Sequence, residues 1–110
     1  MKTKFFTFSQ NNSGGYFIED DKHGVSGYVI IEAPGESEAN SKLREIGENT
    51  DGFWDYCPCC GPRWYDLDEL DGNPEPMIYG TPISETEGGY FHERCFVHYI
   101  DGTIKEFKFQ

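Results

Sequence analysis

The segment whose residue types and spacing most clearly suit chemistry is Cys57-Pro58-Cys59-Cys60-Gly61. Cys57 and Cys60, separated by two residues, can present two thiolates to one ion, while Pro58 and Gly61 shape a tight turn beneath it. Backbone N–H groups in such a turn point at the sulfurs and stabilise their charge. The knuckle is half of a tetrahedral site. His92 and Cys95, spaced His-x-x-Cys, form the second cluster of soft ligands, so Cys57, Cys60, His92 and Cys95 make a candidate Cys3His site for a structural Zn2+. Cys59 and His98 are alternative ligands. In one continuous strand His92 and Cys95 would point to opposite faces, so the pair requires a turn or bulge between them. The competing reading is four reduced cysteines that pack or shape a turn without metal. A thioredoxin-like role is disfavoured, because Gly61-Pro62 stands where a helix should open and nearby carboxylates raise thiol pKa values.

Arg63-Trp64 follows the knuckle directly. An arginine beside an indole can grip an anion with its planar fork, which together with the Asn11-Asn12 turn would line a ligand pocket; equally, Trp64 can cap the core while Arg63 pairs with a surface acid. Asp66, Asp68, Glu69 and Asp71, interleaved with Leu67 and Leu70, lack the glycine and terminal glutamate of a calcium loop and read as a solvated face. Gly14-Gly15 and Gly88-Gly89 lack the lysine or helix start of a phosphate cradle. Glu85 and Glu87 precede His92, but no nucleophile, acid and oxyanion donor can be assigned, so an enzyme is not expected.

The elements that must position these residues are short. Lys4 to Gln10 alternates around Phe6 and Phe8, and Asn11-Asn12-Ser13-Gly14-Gly15 then predicts a hairpin with Tyr16-Phe17-Ile18 as its return strand. Tyr28-Val29-Ile30-Ile31 reads as a buried central strand. Ala39, Leu43 and Ile46 recur at helical spacing, which predicts an amphipathic helix over 36–46 with acidic residues at its start, a Glu38–Lys42 surface pair and Gly47 as a left-handed cap. Asn49 to Gly89 is an irregular insert that needs a staple. After Tyr90-Phe91, strands over 95–100 and 103–109 are joined by a two-residue Asp101-Gly102 turn. The expected fold is α+β: one domain over 1–110, with an antiparallel sheet of about five strands, one amphipathic helix and a loop-rich insert that zinc would staple. Phe6, Phe8, Val29, Ile31, Leu43, Ile46, Phe96 and Ile100 are the expected core.

Twenty acidic residues against nine basic ones give a formal charge of −11, which repels phosphate backbones and anionic membranes. Direct nucleic-acid binding is therefore disfavoured, while a basic protein partner, or a surface that imitates the phosphates of DNA, is permitted. The start Met1-Lys2-Thr3-Lys4-Phe5-Phe6 opens no apolar run long enough for a signal peptide, and no stretch approaches a membrane span, so a reducing cytosol is expected.

The blocks Phe6-Thr7-Phe8-Ser9-Gln10-Asn11-Asn12-Ser13-Gly14-Gly15, Val29-Ile30-Ile31-Glu32-Ala33, Cys59-Cys60-Gly61-x-Arg63-Trp64-Tyr65 and Val97-His98-Tyr99-Ile100-Asp101-Gly102 lie in order across nearly the whole chain and resemble a family of small bacteriophage proteins of unknown function. The resemblance implies an accessory protein in the host cytosol that acts on host or phage components during infection. Some relatives carry an additional cysteine upstream of the knuckle and no His-x-x-Cys; by that resemblance Cys95 would replace the missing cysteine. Two functions follow as expectations: binding and modulating a host protein of defence or transcription through the acidic, aromatic surface, or sequestering a nucleotide or other anion at Arg63, Trp64, Asn11 and Asn12. An acidic DNA mimic is the third.

Overall fold

The computed structural model describes residues 2–11, 17–50, 53, 56–57, 61–78, 80–85 and 94–109, with the backbone alone for Tyr56, Cys57, Gly61 and Pro62. Strands β1 (Lys4–Ser9) and β2 (Tyr28–Ala33) precede helix α1 (Glu36–Gly47). The insert contributes β3 (Tyr56–Cys57), β4 (Gly61–Pro62), a 3-10 turn over Glu69–Asp71, β5 (Gly72–Asn73), β6 (Met77–Ile78), β7 (Thr81–Pro82) and a second 3-10 turn over Ile83–Glu85. Strands β8 (Arg94–His98) and β9 (Ile104–Lys108) close the chain.

The five-stranded sheet has the order β5-β1-β2-β8-β9. The fold is α+β as expected, but the sheet is mixed: β2 and β8 run parallel, in register from Tyr28↔Cys95 to Ile31↔His98, while the other neighbours are antiparallel. Parallel neighbours require a long crossover, and α1 with the insert supplies it. The predicted partner of β1 also differs. Tyr16 lies outside the described residues, Phe17 and Ile18 form no strand, and β1 pairs with β2 along its whole length. Ile18 needs no ladder, because the Gln10 carboxamide accepts from its N–H at 2.6 Å and donates to its C=O at 3.0 Å.

Both faces of β2 are covered, which is why its sequence is an apolar run rather than an alternation. On one face Phe6, Phe8, Val29, Ile31 and Ala33 pack against Ala39, Leu43 and Ile46 of α1 and against Phe53 and Trp64. On the other face Ile30, Cys95 and Val97 meet Ile78 and Ile83 of the insert, flanked by Phe5, Tyr28, Tyr99, Phe107 and Phe109. Seven of the eight expected core residues are buried. The exception is Ile100, 50% exposed, because the last turn is larger than predicted. Tyr99 N–H donates to Thr103 O at 2.8 Å and Gly102 N–H to Tyr99 O at 2.9 Å, with Gly102 at φ 93°, so three residues form the loop and Ile100 stands at its tip.

Two details of α1 depart from expectation. Gly47 belongs to the helix, which ends in right-handed backbone at Glu48; Asn49 N–H, Thr50 N–H and Thr50 Oγ1 bond the last carbonyls in place of a glycine cap. Lys42 pairs with Glu45 at 3.4 Å instead of with Glu38. No helix among the described residues is long and apolar enough to cross a membrane.

A tight turn over Asp20–Val25 docks onto the C-terminal hairpin. Gly24 has φ 69°, and its C=O accepts from His98 Nε2 at 2.8 Å. A Cβ at Gly24 would stand 2.8 Å from the His98 ring and from Ile104 Cγ2, so only glycine lets the turn approach so closely. Burial, with Lys42 of α1 nearby, holds the His98 pKa below its ordinary value of 6.5, despite the opposing hydrogen bond to Gly24. Glu32, Glu38 and Tyr99 line the same cleft as His98 and Lys42. Because folding disfavours the protonated ring, the unfolded chain binds more protons below pH 6.5, and stability must fall as pH drops from there toward the folded pKa. Urea midpoints measured between pH 7.5 and 5.5 should decline by up to about 1.4 kcal/mol of stability per pH unit. Asp20, Asp21 and Asp101 are held below the usual carboxylate range by His23, Arg94 and Thr103 respectively, so their losses come only at lower pH.

Candidate interaction surface

The insert is joined to β1 through a buried polar cluster. Gln10 Oε1 accepts from Arg63 Nη1 at 3.0 Å as well as from Ile18, and Gln10 Nε2 donates to Ser26 O at 2.9 Å. Arg63 is fully buried; its Nη1 also donates to Asn11 O at 3.4 Å, and its own C=O accepts from Asn11 N–H at 2.8 Å. A buried guanidinium is tolerated only where oxygens meet it, and Gln10 and Asn11 provide them. Trp64 turns into the core, stacked on Phe53 with ring centroids 4.9 Å apart. Its Nε1–H has no hydrogen-bond partner among the described residues. Of the residues read as a ligand pocket, Arg63 and Asn11 are therefore together, Trp64 faces inward and Asn12 lies outside the described residues.

The knuckle sits on a reversal of the chain, with Cys57↔Gly61 and Tyr56↔Pro62 paired between β3 and β4. Cys60 and His92, and the alternative ligand Cys59, lie outside the described residues. Cys95 is buried among apolar side chains, which pushes its thiol up to about 12. It shares a face with Ile30 and Val97, whereas Phe53 and Trp64, which flank the knuckle in sequence, pack on the opposite face. His98, the other alternative ligand, gives Nε2 to Gly24. No group of three or more His, Cys, Asp or Glu positioned to hold a metal occurs among the described residues.

Beyond Trp64 the chain emerges onto the surface. Residues 64–93 contain no lysine or arginine. Tyr65, Asp66, Asp68, Glu69, Leu70, Asp71 and Glu75 are all exposed. Despite its exposure the segment is firmly held. Asn40, buried on α1, donates to Leu67 O at 2.9 Å and accepts from Leu67 N–H at 3.0 Å, as a neighbouring strand would. Arg44 Nη2 meets Asp66 at 2.7 Å. Asp68 and Asp71 form a reciprocal capping box around the 3-10 turn, Asp68 accepting from Leu70 N–H and Asp71 from Asp68 N–H. Gly72 and Asn73 then pair with Phe6 and Phe5 of β1.

This arrangement leaves Leu70 88% exposed at the tip of a fixed turn. Beside it lies a cleft of about 410 Å³ bordered by Thr7, Ser9, Tyr65, Leu67, Leu70, Asp71, Asn73, Met77 and Gly80. Carboxylates, an exposed phenol and unpacked leucine carbons on a rigid frame can hold a cationic, partly apolar group. The sequence reading missed Asn40. Its signal was available: it lies beside Ala39 and three residues before Leu43, at the border of the helix's apolar stripe, where an amide is out of place unless it has partners.

Residues 3–110 match a protein family described as a domain of unknown function, DUF7296. No curated protein and no solved structure matches the chain.

Replacing Asn40 with alanine strands the N–H and C=O of Leu67, so it should cost about 1–3 kcal/mol in chemical denaturation. The Leu67 amide should then lose hydrogen-exchange protection while amides of β2 keep theirs.

Proposed function

The chain belongs to the DUF7296 family, and we propose that it is a non-enzymatic bacteriophage accessory protein that binds and modulates a host protein, through the acidic surface around Leu70. The carrying observation is the exposure of Leu70 on a turn fixed by its capping box, in a stretch whose Asp66, Asp68, Glu69, Asp71 and Glu75 are also exposed. An isolated exposed leucine is ordinary; one on a fixed turn at the rim of a cleft, in a stretch without positive charge, supports a docking anchor for a basic partner. Phage origin and the host target rest on the resemblance of the sequence blocks. The anion-sequestering alternative draws less support, since Arg63 is enclosed by Gln10 and Asn11 and the cleft carries Asp71.

Wild-type protein immobilised in host lysate should retain a partner that is released as salt is raised, and Leu70→Ser should retain at least tenfold less of it at an unchanged melting temperature. A partner held equally by both proteins would place the function elsewhere. Retention of DNA-binding proteins as a class, released by competing DNA, would favour the DNA mimic.

The structural zinc is a second proposal, supported by the β3–β4 reversal that the Cys-Pro-x-Cys-Gly turn requires. Elemental analysis should find one zinc per chain, and Cys57→Ser should lower the melting temperature by several degrees. A zinc-free protein whose melting temperature ignores that substitution would remove the site.

A further inference from the structure

At the carboxyl ends of the parallel pair β2 and β8 the chain leaves in two directions. After Ala33 it turns through Pro34 and Gly35 into α1, and after His98 it enters the loop to β9. Parallel neighbours whose continuations part in this way open a crevice beyond their ends. Here that crevice is a cleft of about 200 Å³, where the apolar Ile31, Ala33 and Ile100 meet Glu38, Lys42 and His98. Ile100 is the expected core residue that the fold leaves half-exposed. Glu32 fixes it there, its carboxylate accepting from Ile100 N–H at 3.0 Å and from the Thr3 hydroxyl.

Three polar groups on the cleft keep bonding capacity. His98 is buried, and because Gly24 O can only accept, the ring proton sits on Nε2. Burial and the nearby Lys42 disfavour a second proton, so Nδ1 is a bare acceptor, and it bonds no described residue. A buried acceptor left without a donor is destabilising, and a ligand that supplies one gains from it. Glu38 lies one turn from Lys42 on α1, yet its carboxylate bonds no described residue; a Cβ at Gly35 would stand 3.2 Å from its Oε2. Lys42 meets Glu45 only at 3.4 Å, with 42% of its side chain exposed.

We propose that this cleft binds a free aliphatic α-amino acid, with its ammonium facing Glu38 and His98 Nδ1, its carboxylate on Lys42, and its side chain covering Ile31, Ala33 and Ile100. Two acceptors and one cation on an apolar border are the complement of such a zwitterion. The volume lies below the range of about 300–1,000 Å³ usual for drug-sized ligands, which limits the occupant to amino-acid size. A phosphate or nucleotide is repelled by Glu32 and Glu38, and a simple amine leaves Lys42 without a counter-charge. None of these residues borders the cleft beside Leu70, so the site goes beyond the docking surface proposed above and stands independently of it.

L-Leucine is the probe, compared with 4-methylpentanoate, which lacks the ammonium, and 3-methylbutylamine, which lacks the carboxylate. Titrated into isotope-labelled full-length protein at neutral pH, leucine should shift the amides of Ile100 and Gly102 saturably and move the His98 Nδ1 resonance while Nε2 stays protonated. Each analogue should bind at least tenfold more weakly. Glu38→Gln and Lys42→Met should each weaken leucine at least tenfold at an unchanged melting temperature, and Glu38→Gln should leave the binding of 4-methylpentanoate no weaker than in the wild type. Equal binding of leucine and either analogue would overturn the proposal, as would the absence of leucine binding. Leucine binding that survives both substitutions would place the amino acid elsewhere and overturn it too. None of these results bears on the partner retained from lysate.

Discussion

A carboxamide withdrawn from water must find all its partners in the protein, and Gln10 finds them in three separate segments. Its oxygen and nitrogen together hold Ile18, Ser26 and Arg63, so the connection after β1, the entry to β2 and the exit from the knuckle converge on a single side chain. Because Arg63 is tied in the same cluster to Asn11, the direction in which Trp64 enters the core and Tyr65 leaves it is set there. The acidic surface is thus a downstream product of a polar contact deep in the molecule. Two of the sequence blocks that suggest common descent, the one containing Gln10-Asn11 and the one containing Arg63-Trp64, are the two halves of this contact.

What could be read in the sequence was what depends on neighbours along the chain. The apolar run of β2, the helical spacing of Ala39, Leu43 and Ile46, and the Asp101-Gly102 turn signal each led to the correct type of element. Their failures were failures of tertiary context. The parallel pairing of β2 with β8 depends on the path of sixty residues between them, which no local pattern encodes. Phe17 and Ile18 carry strand-like side chains, but Gln10 satisfies Ile18 without a ladder. Arg63 looked available for ligand because a guanidinium is usually a surface group, and its burial depends on tertiary partners distant in sequence, Gln10 and Asn11 among them. The acidic run was recognised as exposed, but its rigidity, which comes from Asn40 and the capping box, was not.

Charge is distributed unevenly over the sheet. Positive residues return at Arg94, whose guanidinium gathers Glu19, Asp21 and Glu106 at 3.2, 2.7 and 2.6 Å and lies over the ring of Phe96. Lys105 and Lys108 follow on β9, the opposite edge of the sheet from β5. Lysines on an edge strand discourage unwanted pairing with other chains.

The parallel junction between β2 and β8 also sets the order of events during synthesis. Strands β1 and β2 emerge early with one apolar face that α1 can cover at once, but the face carrying Ile30 waits for Ile78, Ile83, Cys95 and Val97, near the end of the chain. Contacts between such distant segments form slowly, because a long loop must close before any of them is rewarded. A nascent or truncated chain lacking the last strands would therefore display half a core to its surroundings. Its escape from aggregation in that interval falls to the same excess of carboxylates that later shapes what the finished molecule can bind.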